Sequence, residues 1–230
     1  MSFIKNKLSG ATKRLKLALK LDDRNFLSSC KGVIHIGANT GAERKTYARY
    51  GLNVAWFEPN PEVFQILKAN ISDLPKQKAF EQVLAGETGK KITFNISNNG
   101  GSASSMLDLG AHQEIWPDIH FTHSVELTTT TLTDFLASGA INPTDFDVLV
   151  IDTQGTELEV LRGAIAVLPQ FRFIETEAAN FESYKGCCTD KELIDMLIAQ
   201  GFKVIKRELF PDCLPSSPHQ YFNLVFERTN

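Results

Sequence analysis

At 230 residues, with a net charge of −3 at pH 7, 43% hydrophobic and 22% charged residues, the chain has the makeup of one large globular domain or two small ones. No apolar run nears the roughly 20 residues that cross a bilayer, no signal-type apolar segment precedes a cleavage site, and a mildly acidic balance gives no general reason to expect nucleic acid as a partner. Cys30, Cys187, Cys188 and Cys213 lack CxxC spacing and a small secreted framework, so they read as reduced thiols of a cytoplasmic protein.

The chain opens on Lys5, Lys7, Lys13, Arg14, Lys16 and Lys20, with no acid before Asp22 and with Phe3, Ile4, Leu8, Leu15, Leu17, Leu19 and Leu21 interleaved. This pattern suits a basic amphipathic helix, set apart as residues 1–29 from a main domain over 30–230. It could touch an anionic membrane surface weakly, or a partner. A solvated helix packed on the domain is the favoured reading, because one such helix is a weak anchor.

Beyond it, "GVIHIG" is a short apolar strand, followed by a turn and a helix through "ERKTYARYG". "NVAWFE" is a second strand, "PEVFQILKANI" a helix with Val63, Ile66, Leu67 and Asn70 at helical spacing, and "AFEQVLA" a third strand. Residues 92–130 hold a strand, a Gly/Ser-rich loop and another strand, a β insertion before the fourth core strand, "DVLVID". Then come a helix through "ELEVLRGAIAVL", a fifth strand "FRFIETE", and a helix "DKELIDMLIAQGF" ended by Gly201. "FKVIKREL" and "YFNLVFER" are joined by a segment too short for a helical crossover, so they pair antiparallel. Alternation of this kind predicts an α/β Rossmann-like fold: a mostly parallel sheet ending in one antiparallel strand, with helices on both faces.

Ligands of such sheets sit beyond the carboxyl ends of the strands, where strand order reverses, so the turn "HIGANTG" should line a pocket. Gly37 allows a tight turn and Gly41 close helix packing, while free N–H groups at the helix start attract a negative group. Glu58 follows Gly37 by 21 residues and ends the second strand. A carboxylate there can accept both hydroxyls of an adenosine ribose, with Pro59, Asn60 and Pro61 shaping a rigid loop beside it. A dinucleotide's pyrophosphate demands glycine where this chain has Asn39, which argues against an NAD-dependent oxidoreductase. S-adenosyl-L-methionine has no phosphate, and its amino-acid tail tolerates that side chain.

The stretches "VIHIGANTGAERKTYARYG", "FEPNPEVFQIL", "VLAGETGKKITFNISNNGGSASSML", "VELTTTTLTDFL", "FDVLVIDTQGTELEVLRGA" and "FIETE…YKG" together resemble the FkbM family of S-adenosylmethionine-dependent methyltransferases, from about Cys30 to the C-terminus. The resemblance implies a seven-stranded class I methyltransferase fold that methylates an oxygen of a small molecule, often a sugar. It implies Gly37, Asn39 and Gly41 around the methionine tail, Glu58 on the ribose, Asn60 near the adenine, and Val83 and Leu84 flanking that base. Ser104 and Ser105 would lie over the cofactor, with Asp152 and Gln154 facing the reacting centre. Two positions depart from the pattern. Many relatives carry an acid at His35 and a lysine at Val150; the His-initial form of the motif also brings Glu43 and Tyr47 into line.

A sugar hydroxyl is a poor nucleophile, so a positioned base would add about 10²–10⁴-fold to the rate. Candidates at strand ends are Asp152 first, then His35, with Glu175 and Glu177 behind them. Asp152 could instead cap a helix or hold the methionine amino group, and His35 could be a hydrogen-bonded core histidine. Glu175 and Glu177 share a strand face and could bind a cation or raise each other's pKa. His219 reads as a surface residue. His112 and His120-x-x-His123 are loosely metal-like, but three converging oxygen ligands cannot be assembled, so no metal is expected. A non-catalytic module that keeps the fold is the remaining alternative.

Overall fold

The computed structural model describes residues 24–210, 213 and 215–229. Of the segment expected as a basic helix, 1–29, residues 1–23 lie outside the described residues, and Asn25–Ser29 form a short 3-10 helix with Leu27 buried. Among the described residues no helix is long and apolar enough to cross a membrane.

Among the described residues ten strands form two sheets. The larger has the order β3-β2-β1-β7-β8-β10-β9. Its centre is β1 (Gly32–Ile36), parallel to β2 (Asn53–Phe57) on one side and to β7 (Val148–Ile151) on the other. All five residues of β1 are buried, as expected of a central parallel strand covered on both faces. Ile34 and Ile36 join one core with Leu149, Ile151, Leu161 and Leu197. Val33 joins the other with Trp56, Tyr47, Leu67 and Val148. The period of two thus assigns alternate residues to opposite layers, and each fully buried aliphatic side chain contributes about 1.5–3 kcal/mol.

The helix α1 (Arg44–Arg49) follows β1, and α2 (Pro61–Asn70) follows β2. Asn60 caps α2 by accepting from the amides of Glu62 and Val63, and Pro61 takes the first helical position, where no N–H is needed. The stretch read as one third strand is two. β3 (Gln77–Phe80) completes one edge of the main sheet beside β2. Phe80 then packs on Phe57, and β4 (Val83–Leu84) turns away to pair with Thr129 and Thr130 of β6 (Phe121–Thr130). With β5 (Lys91–Ser97) these make the small sheet, order β4-β6-β5.

Past the short helices α3 (His112–Ile115) and α4 (Leu132–Ala137), the chain re-enters the main sheet at β7. α5 (Glu157–Ala164) leads to β8 (Phe173–Ala179), and α6 (Asp190–Ala199) leads to β9 (Phe202–Leu209). Thr189 and Glu192 form a reciprocal capping box on α6, and Gly201, at φ +83°, releases the chain after it. The antiparallel strand is not the last in the sheet. β10 (Tyr221–Arg228) is inserted between β8 and β9 and runs antiparallel to both. The crossover through α6 lays β9 one strand-width away, and the return segment fills the gap. The edge strand at this end is therefore β9, which carries Lys203, Lys206 and Arg207, charges that discourage pairing with another chain.

Candidate active site

Strand order reverses between β1 and β7: from β1 the chain works outward to β3, and from β7 it works outward the other way. A cavity of about 250 Å³ opens at the carboxyl ends of these two strands, the crevice such a sheet offers a ligand.

The first wall is the turn after β1. The Asp152 amide donates to the Ile36 carbonyl at 2.9 Å, so the ends of β1 and β7 are held together. Gly37, at φ +78°, stands so close that a β-carbon there would lie 1.7 Å from the Asp152 carbonyl oxygen. Asn39 is left-handed, φ +46°, a conformation asparagine tolerates better than most residues. Its side chain bends back: Oδ1 accepts from the Thr40 amide at 2.7 Å, and Nδ2 donates to the Gly100 carbonyl at 3.4 Å. Gly41 does not line the cavity; its absent side chain makes room for Leu67 of α2.

Glu58, one residue past β2, is the second wall. Its Oε2 accepts from the Asn39 amide at 2.7 Å and Oε1 from the Asn60 amide at 2.8 Å. Burial pushes this carboxyl up to about 7; the two amide donors oppose that rise and nearby Asp152 adds to it. Each oxygen holds one donor and can accept another. Pro59, Val83 and Leu84 line the same end of the cavity, together with Gln82. Asn60 is spent on capping α2 and is not among the lining residues.

The third wall is the "GGSASS" loop. Gly101, Ser102 and Ser104 face the cavity. Ser104 is also held by Ser97, whose amide donates to its Oγ at 3.1 Å. Ser105 lies outside the lining: its hydroxyl donates to the Gln154 carbonyl at 2.7 Å.

Asp152 and Gln154 close the site. Gln154 Nε2 donates to Asp152 Oδ1 at 2.7 Å, and the Tyr184 hydroxyl donates to Gln154 Oε1 at 2.8 Å. Gln154 is left-handed, φ +55°, and the strain of such a residue has to be held by its surroundings. Glu157 does this from one side by accepting from the amides of Thr153, at 2.8 Å, and Gly155, at 3.0 Å. Burial raises the Asp152 carboxyl to about 7; Gln154 opposes that rise, while Glu157, Glu43 and Glu175 reinforce it.

His35 contributes to the cavity wall, with its ring in the second core. The ring packs against Trp56, centroids 5.0 Å apart, and Nδ1 lies 3.2 Å from the Tyr47 hydroxyl. Burial holds its pKa down to about 4, so it is neutral at ordinary pH. His35 and Val150, the two departures from the family pattern, are register partners on adjacent strands, and Glu175 is the next residue in that row. Glu175 is ion-paired with Arg24. Burial alone would lower the Arg24 pKa, but Glu175, joined by Tyr47 and Glu43, reverses the direction and holds the guanidinium charged. Glu175 and Glu177 lie outside the cavity lining.

Among the described residues no three His, Cys, Asp or Glu side chains form a group able to hold a metal. His120 and His123 are exposed, and His112 is buried beside Trp116 and Tyr184. Among the lining residues that sequence reasoning does not single out are Gln82, Phe94 and Thr153. Gln82 and Thr153 adjoin candidate positions and are within its reach. Tyr184 opens the "YKG" motif, 30 residues after Gln154, but nothing in that motif says that its hydroxyl reaches Gln154.

A seven-stranded sheet in this order, with one reversed strand between its last two neighbours, defines a class I methyltransferase fold. Solved structures align with it over most of the chain. The magnesium protoporphyrin IX methyltransferase of Synechocystis PCC 6803 gives a TM-score of 0.51 at 10% identity, covering 100% of this chain and 85% of that one. The METTL16 methyltransferase domain gives 0.51 at 12% identity, covering 94% and 68%. The profile of the Methyltransferase FkbM domain matches residues 35–204, and the chain belongs to that family of methyltransferases. The 2-O-methyltransferase NoeI of Sinorhizobium fredii (strain NBRC 101917 / NGR234) is 25% identical over 173 residues, 72% of this chain and 70% of the relative. Family membership sets aside the oxidoreductase alternative.

Proposed function

We propose that the protein is an S-adenosyl-L-methionine-dependent O-methyltransferase acting on a hydroxyl of an uncharged small molecule, a sugar or glycoconjugate. The observation that carries this reading is the charge of the cavity. Glu43, Glu58 and Asp152 line it, and among the described residues no lysine or arginine does. Such a wall favours a cofactor of net positive charge and disfavours a diphosphate or a polyanionic acceptor such as nucleic acid. The relative named as a 2-O-methyltransferase supports oxygen as the acceptor atom.

The residues present fit the cofactor. Glu58 keeps a free acceptor position on each oxygen for a ribose hydroxyl, Val83 and Leu84 offer apolar contact for the base, and the turn at Gly37 and Asn39 leaves space for the amino-acid tail. Bound S-adenosyl-L-methionine would supply a methyl group carried on a sulfonium, a leaving group that needs no further activation. The chain's own task is then to orient the acceptor hydroxyl and take its proton, and orientation alone can be worth about 7–11 kcal/mol. Asp152 takes the proton. Gln154 occupies Oδ1, which leaves Oδ2 for the acceptor, and a pKa near 7 suits a base working at neutral pH. Neutral His35 and the Glu175–Arg24 pair stand behind it and shape its field.

Calorimetry with S-adenosylhomocysteine tests the reading. Micromolar binding to the wild type and a loss of at least about tenfold in Glu58→Ala are expected, one good hydrogen-bonded contact being worth that much. Folded protein that gives no heat with this ligand would overturn it. Transfer of labelled methyl to neutral sugars in preference to their phosphorylated forms is the expected acceptor pattern.

A further inference from the structure

Tyr184 is almost fully buried, 1% exposed, and no cofactor contact explains why it carries a hydroxyl. Its ring fills the space over Gly155, where a β-carbon would come within 3.1 Å of it. The hydroxyl lies 2.8 Å from Gln154 Oε1 and 3.3 Å from the Ala103 carbonyl. Burial lifts its pKa far above the usual phenol value, so it remains a donor.

A hydroxyl donating to Gln154 Oε1 fixes the amide's orientation, because the opposite flip would aim Oε1 at the Asp152 carboxylate. Nε2 is therefore the atom presented to Asp152 Oδ1, at 2.7 Å. The backbone of Gln154 is pinned as well, through its carbonyl by Ser105 and through the flanking amides by Glu157. Ala103 and Ser105 belong to the loop that forms one wall of the cavity. The position of that loop and the aim of the carboxylate thus belong to one hydrogen-bonded unit.

We infer that Tyr184 is a positioning residue: through Gln154 it sets the orientation and ionisation of Asp152, and it ties both to the position of the 101–105 loop over the cavity. The inference rests on the reading of Asp152 as the proton acceptor. The charged and titratable groups facing Asp152 are Glu43 after β1, Glu58 after β2, Glu157 on α5, Glu175 on β8 with its partner Arg24, and neutral His35 on β1. Tyr184→Phe replaces none of them.

The test follows the titration of Asp152 by carbon NMR of carboxyl-labelled aspartate, the resonance being assigned by its loss in Asp152→Asn. Tyr184→Phe and Gln154→Ala should each raise the midpoint by about half to one pH unit, a three- to tenfold change in the ionisation constant, since each weakens a donor to the charged form. The double variant should shift it no further than Gln154→Ala alone. An unchanged midpoint in Tyr184→Phe, or shifts that add in the double variant, would overturn the inference. In the wild type, a slowly exchanging Tyr184 hydroxyl proton in contact with the Gln154 side chain is expected. Its absence would overturn the inference even if Tyr184→Phe did not fold. Calorimetry with S-adenosylhomocysteine on the same wild-type sample separates the two readings. Shifted midpoints without ligand binding remove the proposed function and leave the positioning role of Tyr184; binding with an unshifted midpoint removes that role and leaves the function.

Discussion

The Asp152 carbonyl oxygen occupies the place where a side chain on Gly37 would begin, 1.7 Å from an ideal β-carbon. The glycine of the first turn is therefore a matter of contact between β1 and β7 as much as of its own positive φ. Gly37→Ala must push apart the ends of both strands at the centre of the sheet and is expected to cost more than about 3 kcal/mol. Gly51, at φ +70° with nothing within 4 Å of its β-carbon position, isolates the conformational contribution, and Gly51→Ala should cost about 1 kcal/mol. Equal losses for the two variants in urea denaturation would refute the crowding argument.

Glu58 has a folded pKa of about 7 against an ordinary 4.5. An acid raised in the folded state stabilises fully below its unfolded pKa, and that contribution is lost as pH rises toward the folded one. Relative to Glu58→Gln, the wild type should lose about 2–3 kcal/mol between pH 4.5 and 7 and change little above. His35, held down to about 4, works in the opposite sense, but it is common to both proteins and cancels. Parallel stability curves for the two across that window would show that Glu58 ionises normally.

Ligand binding should be linked to the same protons. A cation entering beside Glu58 and Asp152, each near 7, favours their ionised forms. Affinity for S-adenosyl-L-methionine should then rise about tenfold from pH 6 to 8 with release of protons. The neutral-sulfur product should show a weaker slope. Calorimetry in buffers of different ionisation enthalpy counts the protons, and identical slopes for the two ligands would contradict a charge-selective cavity.

Asp152→Asn removes the proposed base while keeping the side chain's shape, and should lower methyl transfer about 10²–10⁴-fold with little change in S-adenosylhomocysteine affinity. His35→Phe keeps the packing on Trp56 and should leave the pH dependence of the rate in place. A collapse of that pH dependence in His35→Phe would move the base from Asp152 to His35.

The Arg24–Glu175 pair is largely buried, its side chains 22% and 14% exposed. Arg24→Met strands a carboxylate beside the sheet and should cost about 1–3 kcal/mol, whereas adding Glu175→Gln should restore some of that loss. A double variant less stable than Arg24→Met would indicate that the pair contributes favourably beyond mutual neutralisation.

Much of this site is legible along the chain. Gly37, Asn39, Glu58, Val83, Leu84, Ser104, Asp152 and Gln154 follow from strand-end positions and family motifs, and all line one cavity. Strand ends are readable because an apolar run stops where the chain meets solvent or ligand. Asn60 and Ser105 follow from the same motifs, yet Asn60 is spent on capping α2 and Ser105 on holding the Gln154 carbonyl. A motif marks that a residue is near the site, but the hydrogen bonds that claim its side chain depend on neighbours in space.

Strand–helix alternation and the final strand pair were enough to determine the sheet type and the direction of its strands, because these rest on local periodicity and spacing, while the family followed from the resemblance of the quoted motifs. The insertion of β10 between β8 and β9, the split of the third strand, the His35–Val150–Glu175 row and the tie from Tyr184 through Gln154 to Asp152 were decided only by the folded chain. Each joins residues from separate elements, and such contacts leave no period or spacing in the linear order.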